Sequence, residues 1–412
     1  MIMAVMVETY LKRAWSFRSD APVKAASAGQ AIQGRGYSWD MKPQWIVLTR
    51  VSSPLHRLQL LAFPLSNAEN RLRKIYIHTN VGLNISDALI FCKSNYTNLV
   101  TVYDKVEDEE LQKQIKKLSY PYSAFIGAHT NNTNYTSKWS NGDDVTFTQL
   151  NETGGKMEIC GAVMRANGSW KLLPYSTTIN FMCYDKGNLP VLFILIPLKK
   201  NWTEAQLYCR KNHNDLVSIR NERENDIVKN MVKESEFPVW IGLLYDNIEW
   251  FDGGQSAYRN YPLGPGYGNW LAISNNNWMK VNRTVHKALC YKSFIHVNKT
   301  KMSWEDAQDY CNINAFGLLR IESKKDQIET DRELHRKKIS GPVWIGLRQS
   351  RLFGFWIWVN GLQVGPWTNW KGGRQPEHQK SNYCGAIEKV NHVFRWSDKD
   401  CRSKFRVLCE GK

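Results

Sequence analysis

Three things are missing from this 412-residue chain, and each absence narrows what it can do. No apolar run is long enough to span a bilayer: the best candidate, Leu189 to Leu198, is about ten residues long and carries Pro190 and Pro197. A full signal-type leader is also lacking, since Met1 to Val7 is apolar for only seven residues before Glu8, Lys12 and Arg13. Catalytic signatures are absent too. There is no serine nucleophile elbow, no H-E-x-x-H pair and no glycine-rich phosphate loop, so the chain reads as a non-enzyme. The front segment, residues 1 to 74, has no cysteine, no repeat and little periodicity; it is expected to be disordered, or an incomplete or misassembled start. The formal charge is +17, yet the lysines and arginines are scattered, with no dense run and no nucleic-acid motif. Nucleic acid is therefore excluded as a partner, and weak attraction to anionic glycans or cell surfaces remains.

What the chain has is one block written three times: Cys92 with Phe125-Ile126-Gly127-Ala128, Cys209 with Trp240-Ile241-Gly242-Leu243, and Cys311 with Trp344-Ile345-Gly346-Leu347. A fixed period marks a repeated folding unit. Before each cysteine, apolar residues sit three and four apart, on one helical face: Ile85, Ala88, Phe91; Trp202, Ala205, Tyr208; Trp304, Ala307, Tyr310. Second helices are predicted over roughly Asp104 to Lys117, Asn221 to Glu234 and Ser323 to Arg336. The glycine-containing blocks read as buried strands. Each unit then has two helices, a buried strand, a long irregular stretch and closing strands, an α+β module. The expected boundaries are 75–185, 190–292 and 293–411. The recurring Trp240, Trp250, Trp278, Trp344, Trp358 and Trp396 read as core.

The repeat register pairs the first and last cysteine of each unit: Cys92 with Cys183, Cys209 with Cys290, Cys311 with Cys409. Cys384 and Cys401 form an inner pair in the third unit alone. Trp270 and Arg283 replace both members in the second unit, and Tyr175 replaces one in the first, leaving Cys160 as the odd thiol of nine cysteines and a candidate for an intermolecular disulfide. Disulfides at this density imply an oxidising compartment. Nine N-x-S/T sequons agree with it: Asn84, Asn95, Asn131, Asn134, Asn151, Asn167, Asn201, Asn282 and Asn298. The chain is thus expected to be secreted, or the ectodomain of a membrane receptor whose anchor lies outside this sequence.

The combination of W-x-x-A-x-x-Y-C, the W-I-G-L strand, the inner cysteine pair and Trp396-Ser397-Asp398 before Cys401 resembles the C-type lectin-like domain. Three tandem copies resemble mannose-receptor-type ectodomains and multi-domain fish lectin-like proteins. The resemblance implies carbohydrate binding and receptor-like, innate-immune recognition of glycans or cell-surface glycoproteins; the alternative is a calcium-independent module for protein ligands. In sugar-binding members a calcium ion sits in the long loop. Carried over position by position, its ligands fall on Gln375, Glu377, Asn382 and Asp398, with Ser397 beside them where the family has an asparagine. Calcium takes six to eight oxygens, and here only Glu377 and Asp398 bring charge. The second unit offers Leu263 to Gly268 without a carboxylate and Lys280 in place of Asp398. The first has Trp170-Lys171-Leu172, so any calcium is expected in the third unit only. Tyr261, Tyr267 and Trp270 are candidate protein-contact residues of the second.

Overall fold

A computed structural model describes residues 70–412 apart from 119–122, 132–134, 151–158, 186–191, 234–237, 261–262, 264–265, 275–276, 378–381 and 391–392. The sequons Asn134 and Asn151, Tyr261 and most of the front segment lie outside the described residues.

Among the described residues six helices form where the sequence predicts them: α1 Ile85–Asn95, α2 Lys105–Lys116, α3 Trp202–Asn212, α4 Glu222–Val232, α5 Trp304–Asn314 and α6 Lys324–Arg336. Each starts on a capping side chain, Asn84, Asp104, Asn201, Asn221, Ser303 or Ser323, which accepts an amide that the first turn leaves without a helical partner. The glycine of the repeated block is explained by close approach. A Cβ at Gly127, Gly242 or Gly346 would lie 2.9 Å from the carbonyl oxygen of Leu99, Val217 or Leu318, respectively. The six repeated tryptophans are all buried.

The third repeat folds on itself, with strand order Ile295–Met302, Phe405–Glu410, Val343–Gln349, Cys384–Val390, Val393–Lys399. The first two repeats do not. Arg73–Leu83 and Ala124–Thr130 of the first repeat share a sheet with His286–Ser293, Trp270–Ile273 and Trp278–Val281 of the second, making an outer unit. Ile159–Met164, Trp170–Pro174 and Ile179–Asp185 of the first repeat join Leu192–Lys200 and Val239–Asp246 of the second, making an inner unit. The inner unit is thus inserted between the two halves of the outer one. Side chains follow the exchange: Trp278 Nε1 donates to Asp108 of α2 at 2.7 Å and Trp170 Nε1 to Asn225 of α4 at 3.0 Å. In the third unit Trp396 reaches its own Gln327 at 2.8 Å.

The exchange overturns two of the expected disulfides. Cys92 is bonded to Cys290 and Cys183 to Cys209, in place of Cys92–Cys183 and Cys209–Cys290; Cys311–Cys409 and Cys384–Cys401 form as expected. The cause lies in one turn. Leu347 pairs with Trp358, eleven positions on, across the hairpin of the third unit. The matching Ala128 and Trp139 are also eleven apart, but Leu243 and Trp250 only seven. A self-folded second repeat would need a two-residue turn at Asp246-Asn247, with positive φ at both and no glycine to take it. Short hinge loops favour exchange. Here the chain runs straight on, so that Leu243 pairs with Trp139 and Trp250 with Ala128. At the crossing, Arg259 and Asp246 form a fully buried ion pair at 2.5 Å, and Asp246 also takes Lys138 at 3.4 Å.

The expected edge of the ordered chain at residue 75 also moves. Arg73 already belongs to the first strand, Leu72 is buried in the core of the third unit, and Arg71 bonds Glu410 and the Arg320 carbonyl there. Helix α6 of the third unit locks the three units together. Arg332 lies 3.9 Å over the Tyr103 ring, Arg336 reaches Asp252 at 3.1 Å, and buried Asp143 of the inner unit gathers Arg220, His335 and Lys389 at 3.2, 3.6 and 3.1 Å. Burial alone would raise the Asp143 pKa; its bond to His335 and the charges of Lys389 and Arg220 outweigh burial and hold it well below the usual carboxylate range.

Candidate functional site

The long-loop end of the third unit is built by tryptophans. Trp370 is buried 4.8 Å from Trp356 and 5.6 Å from Trp396, ring centre to ring centre, which anchors the segment before Gln375. Backbone bonds tie that segment to Val393–Lys399: Lys371 N to Trp396 O at 2.7 Å and Trp396 N to Asn369 O at 2.9 Å. Trp356 Nε1 donates to Pro376 O at 3.2 Å, fixing the proline between Gln375 and Glu377. On the paired strand, Gly385 faces Asp398 and Cys384 faces Lys399, so Asn382 is held just beyond the end where Asp398 sits.

The candidate ligands divide by exposure. Gln375 and Glu377 are exposed, Asn382 and Asp398 half-buried, and Ser397 only 4% exposed. In this regular ladder neighbouring residues point to opposite faces, so Ser397 and Asp398 face opposite sides of the strand. Ser397 is a wall of the fold, and the surface set is Gln375, Glu377, Asn382 and Asp398. Two carboxylates and two amides are oxygen donors of the kind calcium takes, so the residues fit that ion in type. On the same strand pair Glu388 takes Lys399 at 3.1 Å and Lys371 at 3.7 Å. Burial would raise the Glu388 pKa, but the Lys399 hydrogen bond and charge hold it below the usual range. The one cluster of three His, Cys, Asp or Glu donors among the described residues is Glu305, Cys384 and Cys401, whose cysteines are spent in a disulfide.

In the second repeat, Lys280 lies on Trp278–Val281 opposite Leu271, Tyr267 is 80% exposed, and Trp270 is half-buried against the core. A cleft of about 1280 Å³ opens where the three units meet; its lining includes none of Gln375, Glu377, Asn382 and Asp398.

Cys160 is fully buried on Ile159–Met164. In the strand register Leu244 faces Gly161, as Arg348 faces Cys384 in the third unit, so Gly161 holds the inner-bridge position. One residue away, Cys160 points to the other face, among Trp139, Ala162 and Met164. Tyr175 stacks on Trp202 at 5.1 Å, filling the second inner-bridge position. Burial pushes the Cys160 thiol pKa up to about 11. This corrects the expected intermolecular disulfide, because another chain's thiol has no access. The native protein should resist maleimide and take one equivalent on unfolding without reductant; rapid native labelling would contradict the placement.

Of the described sequons, Asn84, Asn95, Asn167 and Asn282 are exposed and Asn131, Asn201 and Asn298 half-buried. Asn84 and Asn201 also cap α1 and α3 through their side-chain oxygens, and the Asn84 amide nitrogen, the glycan attachment atom, donates to Asp87 at 2.7 Å.

The residues that lock the units together, Asp143, Asp246, Arg259 and α6's Arg332 and Arg336, have no counterpart among the sequence candidates. Each is an ordinary surface type in sequence, and only the exchange and the docking of α6 bury them.

A family model described as Lectin C-type domain matches residues 81–185, 198–294 and 300–411. The C-type lectin lectoxin-Lio1 of Erythrolamprus poecilogyrus is 32% identical over 125 residues, covering 30% of this chain and 74% of that protein. Lymphocyte antigen 75 of Homo sapiens is 23% identical over 280 residues, covering 57% of this chain and 16% of its own length. The crystal structure of human lithostathine is similar at 25% identity, covering 29% of this chain and 82% of that one, with a TM-score of 0.26. With the family model matched three times over most of the described residues, and the α+β fold and disulfides in place, the chain belongs to the C-type lectin domain family.

Proposed function

We propose that this protein is an extracellular glycan-recognition protein whose third unit binds sugar through one calcium ion held by Gln375, Glu377, Asn382 and Asp398. The observation that carries the reading is the anchored loop: Trp370 and Lys371 tie the segment before Gln375-Pro376-Glu377 to Trp396, two residues from Asp398, and Trp356 holds the Pro376 carbonyl. When bound, the ion supplies a charge that coordinates vicinal sugar hydroxyls. The chain's own part is to present four oxygen donors, of which the exposed Glu377 and half-buried Asp398 carry the two negative charges. The outer and inner units, with a lysine at 280 and no carboxylate tripeptide, serve as the platform that presents the third.

The test is a thermal melt of the whole chain, because Leu72 and α6 make the third unit part of a larger assembly. A site of about 10 μM affinity in about 1 mM calcium adds about 2.7 kcal/mol over chelator, a rise of several degrees. The rise should vanish in Glu377→Gln and in Asp398→Asn, and a glycan array should lose signal with both. A melt indifferent to calcium in the native protein would sink this reading and favour a calcium-independent protein-binding module, with Tyr267 the first contact to mutate.

A further inference from the structure

The hairpin of the third unit projects a cluster of apolar side chains into solvent. Leu352 is 80%, Phe353 70% and Leu362 59% exposed, and the Phe353 and Phe355 rings stack at 5.6 Å with planes 13° apart. The tip is rigid in backbone terms: Ser350 N donates to Phe355 O and Gly354 N to Ser350 O, both at 2.8 Å, with Gly354 at a φ of 74° closing the turn. Large apolar groups held out on an ordered protrusion mark an interaction site rather than scattered surface residues.

Charge identifies what covers it. From Leu334 to Pro376 the chain has no aspartate or glutamate; of its cations Arg336, Lys337 and Lys371 are paired with Asp252, Glu333 and Glu388, while Arg348 and Arg351 stand on the hairpin itself, which carries no acid. At the hairpin itself, Arg348 lies 5.4 Å over the Trp304 ring, and Arg351 lies 4.5 Å over the Tyr383 ring and donates to its hydroxyl at 2.7 Å. These partners orient both guanidinium groups and cancel neither charge. A second copy of the chain would set these two arginines against their own equivalents in a two-fold contact, which like charges oppose. An exposed apolar tip with two arginines on the same hairpin instead matches an anionic surface with an apolar layer beneath it.

We propose that the hairpin Arg348–Phe355 docks on anionic lipid membranes, with Leu352 and Phe353 entering the acyl boundary, Phe355 and Leu362 at the headgroup level, and Arg348 and Arg351 on the lipid phosphates. The contact uses side chains other than the four calcium candidates, so it stands or falls apart from the glycan reading.

The experiment is co-sedimentation of the whole chain with phosphatidylcholine vesicles, with and without about one-third phosphatidylserine, in chelator throughout. Binding is expected to the phosphatidylserine vesicles, weakening with salt. It should fall about tenfold or more in Leu352→Ser/Phe353→Ser and about fivefold for each of Arg348→Gln and Arg351→Gln. Ile313→Ser, which removes another exposed apolar side chain, should bind as the native protein does. A matched thermal melt shows that each variant is folded. Equal binding by Leu352→Ser/Phe353→Ser, no preference for phosphatidylserine, or a vesicle-free dimer abolished by that double variant would each overturn the proposal.

Discussion

Lengthening the Asp246-Asn247 connection by four residues is expected to rewire two disulfides, replacing Cys92–Cys290 and Cys183–Cys209 with Cys92–Cys183 and Cys209–Cys290. The native chain crosses between units because Leu243 and Trp250 are seven positions apart where the other repeats have eleven. A tight turn there would place two residues with side chains at positive φ, at a cost of roughly 1–2 kcal/mol each, somewhat less for Asp and Asn. Exchange removes that strain and keeps the contacts within the units, since each half finds an equivalent partner. Four added residues restore the spacing of the third unit, and the local hairpin then closes over a far shorter loop than the exchanged pairing. The readout is peptide mapping without reduction. A protease site placed between Asp185 and Leu192 gives an independent signature: in the native protein Cys183–Cys209 spans the cut, so the fragments stay linked until reduced. Fragments that separate without reductant in the native protein would refute the exchange.

The second large effect belongs to Arg259→Met. Arg259 and Asp246 are both inaccessible to solvent, and the guanidinium also donates to the carbonyls of Ser256 and Tyr258 at 2.9 and 2.7 Å. Removing the arginine leaves Asp246 buried with the Lys138 ammonium at 3.4 Å and the Ile248 amide at 3.2 Å. Breaking one partner of such a pair costs roughly 3–5 kcal/mol. That corresponds to a fall in Tm of roughly 10 °C in the melt of the two exchanged units. A double-mutant cycle with Asp246→Asn isolates the pair from the arginine's other bonds. A loss below about 1 kcal/mol would mean that water reaches the crossing and that the ion pair does not clamp it.

The elements were legible in the sequence and their partners were not. The spacing of Trp202, Ala205 and Cys209 locates α3, and the glycine of each repeated block marks where one backbone approaches another, because both are local demands on residue type. Pairing is a different question. Cys183 meets an identical environment whether the helix beside it comes from its own repeat or the next, so repeat register cannot choose between Cys92 and Cys209. The deciding signal, four positions missing between Leu243 and Trp250, is a length rather than a residue. At the candidate site, oxygen-bearing side chains could be counted from the motif, but not that Ser397 turns into the fold while Asp398 turns out. Cys160 shows the same limit: one step of strand register separates it from the inner-bridge position that Gly161 occupies.

Because the inner unit is inserted into the outer one, the two cannot be completed in the order in which their residues leave the ribosome. Cys92 waits for Cys290, 198 positions later, an interval of roughly 10–40 s at common synthesis rates. During that wait Cys183 emerges first, and it is the partner that a self-folded first repeat would take. The inner unit protects the outcome by finishing early, since Cys183 and Cys209 are only 26 positions apart and their closure withdraws the competitor. In an oxidising compartment, the pace of thiol oxidation against the pace of translation therefore becomes a determinant of whether the first half of this chain finds its distant mate.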